Sequence, residues 1–135
     1  MSERKEALEA LLALLESGTK YETMGHTRKC QKAFPPRYEG DYGPESHAQL
    51  AISVWMHDSL DAAKALYHAV LSGCSQYSII TDPTCLKVSV CWWPNGLSNG
   101  PEIYAEAWGE CGNEASAWLI AIIIVLIAAT DTDVT

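Results

Sequence analysis

Apolar residues recur along this chain with two different periods, and the switch between them divides it into helices and strands. From Glu3 to Ser17, Ala7, Leu8, Leu11, Leu12, Leu14 and Leu15 make a wide stripe at helical spacing. Glu3, Glu6 and Glu9 place acids towards the positive end of that helix, and Gly18 supplies a left-handed stop. Leu60, Ala63, Leu66, Tyr67, Val70 and Leu71 repeat the spacing in a second helix, running to about Ser72. Asp58 is its expected N-cap, Asp61 favours its first turn, and Gly73 is its expected terminal cap. The stretch between, Ala48 to His57, fits both periods. Ala48, Leu50, Ile52, Val54 and Met56 alternate like a strand, whereas Leu50, Ala51, Val54 and Trp55 fit a helix stripe.

After Gly73 the period drops to two. Gln76 to Thr81 reads as a strand that ends at Asp82-Pro83. In Leu86 to Trp93, Val88, Val90 and Trp92 oppose Lys87, Ser89 and Cys91, and Pro94-Asn95-Gly96 stops the run. In Glu102 to Trp108, Glu102, Tyr104, Glu106 and Trp108 alternate with Ile103, Ala105 and Ala107. The connections are short, which predicts an antiparallel meander.

The run Asn113 to Ala129 has no polar stripe at all. Its apolar heart, Ala117 to Ala129, is thirteen residues long, against the roughly 20 that a membrane span needs. Neither Lys nor Arg flanks it, and Asn113 with Glu114 reads as an N-cap and first turn. It is therefore expected to be a helix buried on most of its circumference. Thr19 to Glu45, rich in Pro, Gly and charge, shows neither period and reads as a long loop. The expected organisation is one domain over residues 1–135: an N-terminal helix at 3–17, the loop at 19–45 and a helix–meander–helix core at 59–129.

Charge changes this picture by its placement more than its sum. The formal net charge of −8 argues against general binding to nucleic acid or an anionic membrane. Five bases (Lys20, Arg28, Lys29, Lys32, Arg37) meet one acid, Glu22, between residues 20 and 37, and no base follows Lys87. The plain reading is solubility for an apolar C-terminal half, and the sharper one is an acidic face for a basic partner. Five cysteines (Cys30, Cys74, Cys85, Cys91, Cys111) behind an acidic, Ala/Leu-rich N-terminus with no leader-like segment are expected to be reduced thiols in a bacterial cytoplasm.

Ser59-Leu60-Asp61-Ala62-Ala63-Lys64-Ala65-Leu66, then Ala69-Val70-Leu71 and Gly73, resemble a helix of small phage and prophage proteins with the phage ABA sandwich domain. Trp92-Trp93-Pro94, Ala115 to Ile122 and Leu126-Ile127-Ala128 resemble that family's last strands and closing helix, so the likeness runs roughly from Ser59 to Ala129. It implies an α/β sandwich and no catalytic residues. The chain departs from the pattern at Ile123-Ile124-Val125, where the family pattern has a basic residue. That departure points to self-association or a partner interface at Ile123, Ile124 and Val125.

Candidate chemistry narrows quickly. His26 and Cys30 stand four apart, but neither CxxC nor HxxxH occurs, so buried structural thiols are expected and no metal or cofactor. There is no GxSxG, P-loop or GxGxxG. Glu102, Tyr104, Glu106 and Trp108, with Trp92 and Trp93, read either as a solvated sheet face with core tryptophans or as an acidic, aromatic patch for a basic protein surface. Arg28, Lys29, Arg37 and Tyr38 read as an exposed loop or as a grip on a phosphate-bearing ligand. The leading expectation is a non-catalytic phage accessory protein in the host cytoplasm that blocks a host protein, such as an antiviral CRISPR complex. A sponge for a nucleotide signal and a small Cys/His hydrolase or metal protein stand as alternatives.

Overall fold

The apolar run beginning at Glu114 forms the helix around which everything else is placed. A computed structural model of the chain describes residues 3–71, 74–81, 85–94, 102–110 and 114–131. The elements are α1 (Glu3–Glu16), α2 (Met24–Ala33), α3 (His47–His57), α4 (Leu60–Val70), β1 (Cys74–Thr81), β2 (Cys85–Trp93), β3 (Ile103–Glu110) and α5 (Glu114–Asp131). Together they make an α+β fold with a three-stranded antiparallel sheet in the order β1-β2-β3. No described helix is long and apolar enough to cross a membrane.

Because α5 lacks a polar stripe, it needs cover on most sides. β2 and β3 pack on one side of it, and α1, α3 and α4 pack around the rest. Leu119, Ile122, Ile123 and Val125 are wholly buried, and each such side chain is worth about 1.5–3 kcal/mol relative to exposure. The expected self-association site is corrected here: Ile123 and Val125 are spent inside the chain's own core, and Ile124 alone of the three stays half-buried. α2 lies outside this ring, supporting α1 and α3.

Two other expectations change, and one ambiguity closes. The supposed loop 19–45 contains α2, whose N-cap Thr23 accepts from the His26 amide at 3.4 Å. α2 buries Cys30 and Ala33, with Phe34 following at 1% exposure. Ala48 to His57 resolves as helix, capped by Ser46, because Ala48, Ala51, Ile52 and Val54 face the core. Ser59, and not Asp58, caps α4 through its side-chain oxygen, 3.2 Å from the Ala62 amide nitrogen. Asp58 instead closes α3 in the left-handed region at φ 52°, where Asp is tolerated better than most residues. The expected caps Gly73 and Asn113 and the turns at Asp82-Pro83 and Asn95-Gly96 lie outside the described residues.

Trp118 occupies the centre, wholly buried, with its ring 5.4 Å from Tyr67 and 4.7 Å from Tyr77. Its indole nitrogen has no hydrogen-bond partner among the described residues, so the ring contributes through packing against a desolvation cost. Trp118→Phe, which removes that donor, is expected to cost under about 1.5 kcal/mol in chemical denaturation, against about 3–5 kcal/mol for Trp118→Ala. A loss in the Phe variant as large as that in the Ala variant would show that more than bulk packing of the ring is at stake.

Candidate interaction face

Antiparallel register sorts the sheet residues onto two faces. Leu86, Val88 and Val90 on β2 and Ile103, Ala105 and Ala107 on β3 are buried against the helices. Their neighbours in sequence form the opposite face, in rows running across the sheet. One row is Ile80, Lys87 and Trp108, the next Ser78, Ser89 and Glu106, the next Gln76, Cys91 and Tyr104. No described helix packs on this side, and Trp108 is 63% exposed, Ile80 57% and Tyr104 49%. Large exposed apolar side chains grouped on one face mark interaction surfaces more often than single ones do.

Polar contacts hold these side chains in place. Lys87 Nζ stands 3.9 Å from Glu106 Oε2 and 5.3 Å from the centre of the Trp108 ring. The Tyr104 hydroxyl donates to Glu106 Oε1 at 2.7 Å, and the Cys91 thiol donates to Glu102 Oε1 at 3.4 Å. The face therefore carries Glu102 and Glu106 around the single base Lys87, with aromatic rings already oriented. Burial raises the Cys91 thiol above its ordinary value, with the bond to Glu102 adding to it.

The structure brings Glu102, Tyr104, Glu106 and Trp108 together as expected, and Trp93 shares their side of the sheet by alternation. Trp92 does not belong with them. It pairs with Ile103 and turns to the helix side, half-buried against the core. Two consecutive strand residues point to opposite faces, so Trp92 and Trp93 cannot serve one patch.

The basic residues part company as well. Arg28 and Lys29 lie exposed on α2, beside a cleft of about 920 Å³ that Glu3, Arg4, Glu6 and Lys32 also line. Arg4 crosses from α1 to donate to the Ala33 carbonyl at the end of α2, at 3.1 Å. Arg37 is engaged elsewhere: its guanidinium grips Asp41 at 3.0 and 3.1 Å and the Glu45 carbonyl at 3.3 Å, while passing 5.7 Å from the Tyr38 ring. Arg37 and Tyr38 do not line the α2 cleft. Arg37 organises its own loop, apart from Arg28 and Lys29.

Cys30 lies in the core, where desolvation pushes its thiol up to about 12, far from a thiolate at neutral pH. His26 packs against Trp55 and accepts the Glu22 amide at Nδ1. No group of three metal-ligating side chains stands together among the described residues.

One feature escaped the pattern-based reading. Along α5, Ile127 is half-buried at a neighbouring groove, and Ser116, Ile120 and Ile124, also half-buried, open into a trough beside β3. Leu15, Glu16, Lys20, Asp58, Glu106, Trp108, Ile120 and Ile124 help to line its 690 Å³. Isoleucines four and then three residues apart, with no polar position between Ala117 and Ala129, carry the signal. Comparison with family models, curated proteins and solved structures finds no match for the chain. The likeness to phage ABA sandwich proteins thus rests on the residues quoted for it.

The Arg37–Asp41 pair is expected to make stability depend on pH at its acid end. The bonds from the Arg37 side chain and backbone amide hold the Asp41 carboxyl at about 2, below its ordinary 3.8. A carboxyl depressed on folding stabilises the fold above its unfolded value and loses that contribution as pH falls towards the folded one. Melting temperature followed from pH 4 down to pH 2 is therefore expected to fall more steeply for the native chain than for Asp41→Asn. Parallel curves would mean the pair contributes nothing to the fold.

Proposed function

We propose that this protein is a non-catalytic binding protein, docking through the uncovered face of its sheet onto a basic surface of another protein. The observation that carries this reading is the row structure of that face: Trp108 and Tyr104 stand exposed, held in register by Lys87 and Glu106, with Glu102 beside them. Tyr and Trp lose little conformational freedom when they become interface anchors, and here contacts within the face already restrict them. Two acids around one lysine favour a partner of opposite charge and speed its encounter. Burial raises both Cys30 and Cys91, which disfavours a thiolate at either.

The likeness to small phage proteins supplies the biological setting of the proposal. In that setting the protein is an accessory protein acting in the cytoplasm of a bacterial host, where it blocks a host component, foremost an antiviral defence protein such as a CRISPR complex. The net charge of −8 favours a protein target over direct contact with nucleic acid.

The test is charge reversal with a folding control. Glu102→Lys combined with Glu106→Lys is expected to weaken capture of the host target at least tenfold. Melting temperature should stay within a few degrees, because exposed ion pairs contribute about 0–1 kcal/mol. Undiminished capture by the folded double variant would remove this face from the mechanism.

A further inference from the structure

The trough beside β3 has a shape and a chemistry that the open face alone does not explain. β3 is an edge of the sheet, and among the described residues no strand pairs with its outer side. Beyond that edge, in place of a fourth strand, lies the trough: Ala107, Trp108 and Gly109 form one wall, the end of α1 with Gly18 to Lys20 the other, and Ile120 and Ile124 of α5 the floor. It continues as a shallower apolar groove of about 400 Å³ over Leu12, Ile124, Ile127 and Ala128, flanked by Glu9 and Glu16. Half-exposed isoleucines below an unpaired edge are a pairing hazard that soluble proteins ordinarily blunt with charge or cover.

We infer that this trough takes an extended segment of a partner protein, alternating apolar and basic residues, which pairs with the free edge of β3 as a fourth strand. A strand added there lies about 4.8 Å beyond β3 and so over the same helix that β2 and β3 already cover. Its inward side chains fill the space above Ile120 and Ile124. Its outward side chains join the open face next to Trp108 and Glu106, and main-chain bonds supply affinity where pockets supply selectivity.

Charge selects the occupant. Glu16, Asp58 and Glu106 line the trough against Lys20, and Glu9 joins them along the continuation. A second copy would bring the same excess of acids to the contact, since a symmetric interface uses one surface twice. A basic segment meets them favourably. This inference deepens the binding reading given above and rests on it.

The probe is an eight-residue peptide alternating Val and Lys, capped at both ends, titrated into isotope-labelled protein and followed by NMR. The expected result is movement of the Ala107, Trp108 and Gly109 amides and of the Ile120 and Ile124 methyl groups. Peptides alternating Val with Glu, or Ser with Lys, are expected to bind at least tenfold more weakly. Ile124→Arg is expected to reduce the Val/Lys response at least tenfold, and if that variant fails to fold, the methyl and amide map of the native chain decides alone. Movement confined to Tyr104 and Glu106, an equal response to the Val/Glu peptide, or no response would each overturn the inference. So would a dimer in light scattering that Ile124→Arg dissociates, since a second copy would then fill the trough. Glu102 lies outside the trough, so loss of target capture in Glu102→Lys alongside a silent β3 edge would sink the strand pairing and leave the binding reading standing.

Discussion

An eighteen-residue helix without a charged side chain between Glu114 and Asp131 imposes the main constraint on this structure. Such a helix is insoluble by itself and must be surrounded. The meander covers one side, α1, α3 and α4 cover others, and Trp118 with Tyr67 and Tyr77 fills the space between α4, β1 and α5. The remaining elements answer to this demand at one remove. α2 braces α1 and α3, with Arg4 tying α1 to its final carbonyl, while Arg37 and Asp41 gather the loop that leads into α3. Cover is nearly complete, and where it stops, between β3 and α1, the trough opens.

The sheet is spent unevenly for the same reason. Three strands give two faces, and only one is needed against α5. The other carries no described helix and has an arrangement that core packing does not require: Ser89 at 7% exposure between taller neighbours, Lys87 reaching Glu106 and the Trp108 ring, Tyr104 fastened to Glu106. Face and trough meet at β3, which presents Trp108 and Glu106 to both. One edge strand thus joins a charged surface to an apolar one.

Strong periodicity is what makes this fold legible in its sequence. The alternation Glu102 to Trp108 names the exposed and buried sides of β3 correctly, and the stripes of α1 and α4 and the apolar run of α5 appear at nearly their full length. α2 escapes because its buried side is small, with Cys30 and Ala33 amid Arg28, Lys29, Gln31 and Lys32; Thr23 as a capping residue is the signal that marks it. α3 is ambiguous alone and becomes helical through tertiary burial. Asp58 and Ser59 are both capping residue types, and local pattern cannot tell that one ends a helix and the next begins another. In the site, strand parity already separates Trp92 from Trp93. Isoleucine spacing on α5 shows an apolar surface everywhere, and only the packed arrangement tells which side stays uncovered.

The place of α5 in chain order has a consequence for how the molecule is made. Every element that packs on it precedes it, so a ribosome releases α1 to β3 before the helix that buries their apolar sides exists outside the tunnel. The meander closes through local contacts and α1 has a near partner in α2, but the contacts of α1 with α5 span about a hundred residues, and such distant pairings are slow to form. Until α5 emerges, the apolar sides of β2 and β3 lack the helix that buries them in the finished fold. Completion of the core therefore comes late in synthesis, and apolar surface exposed until then is of the kind that chaperones hold.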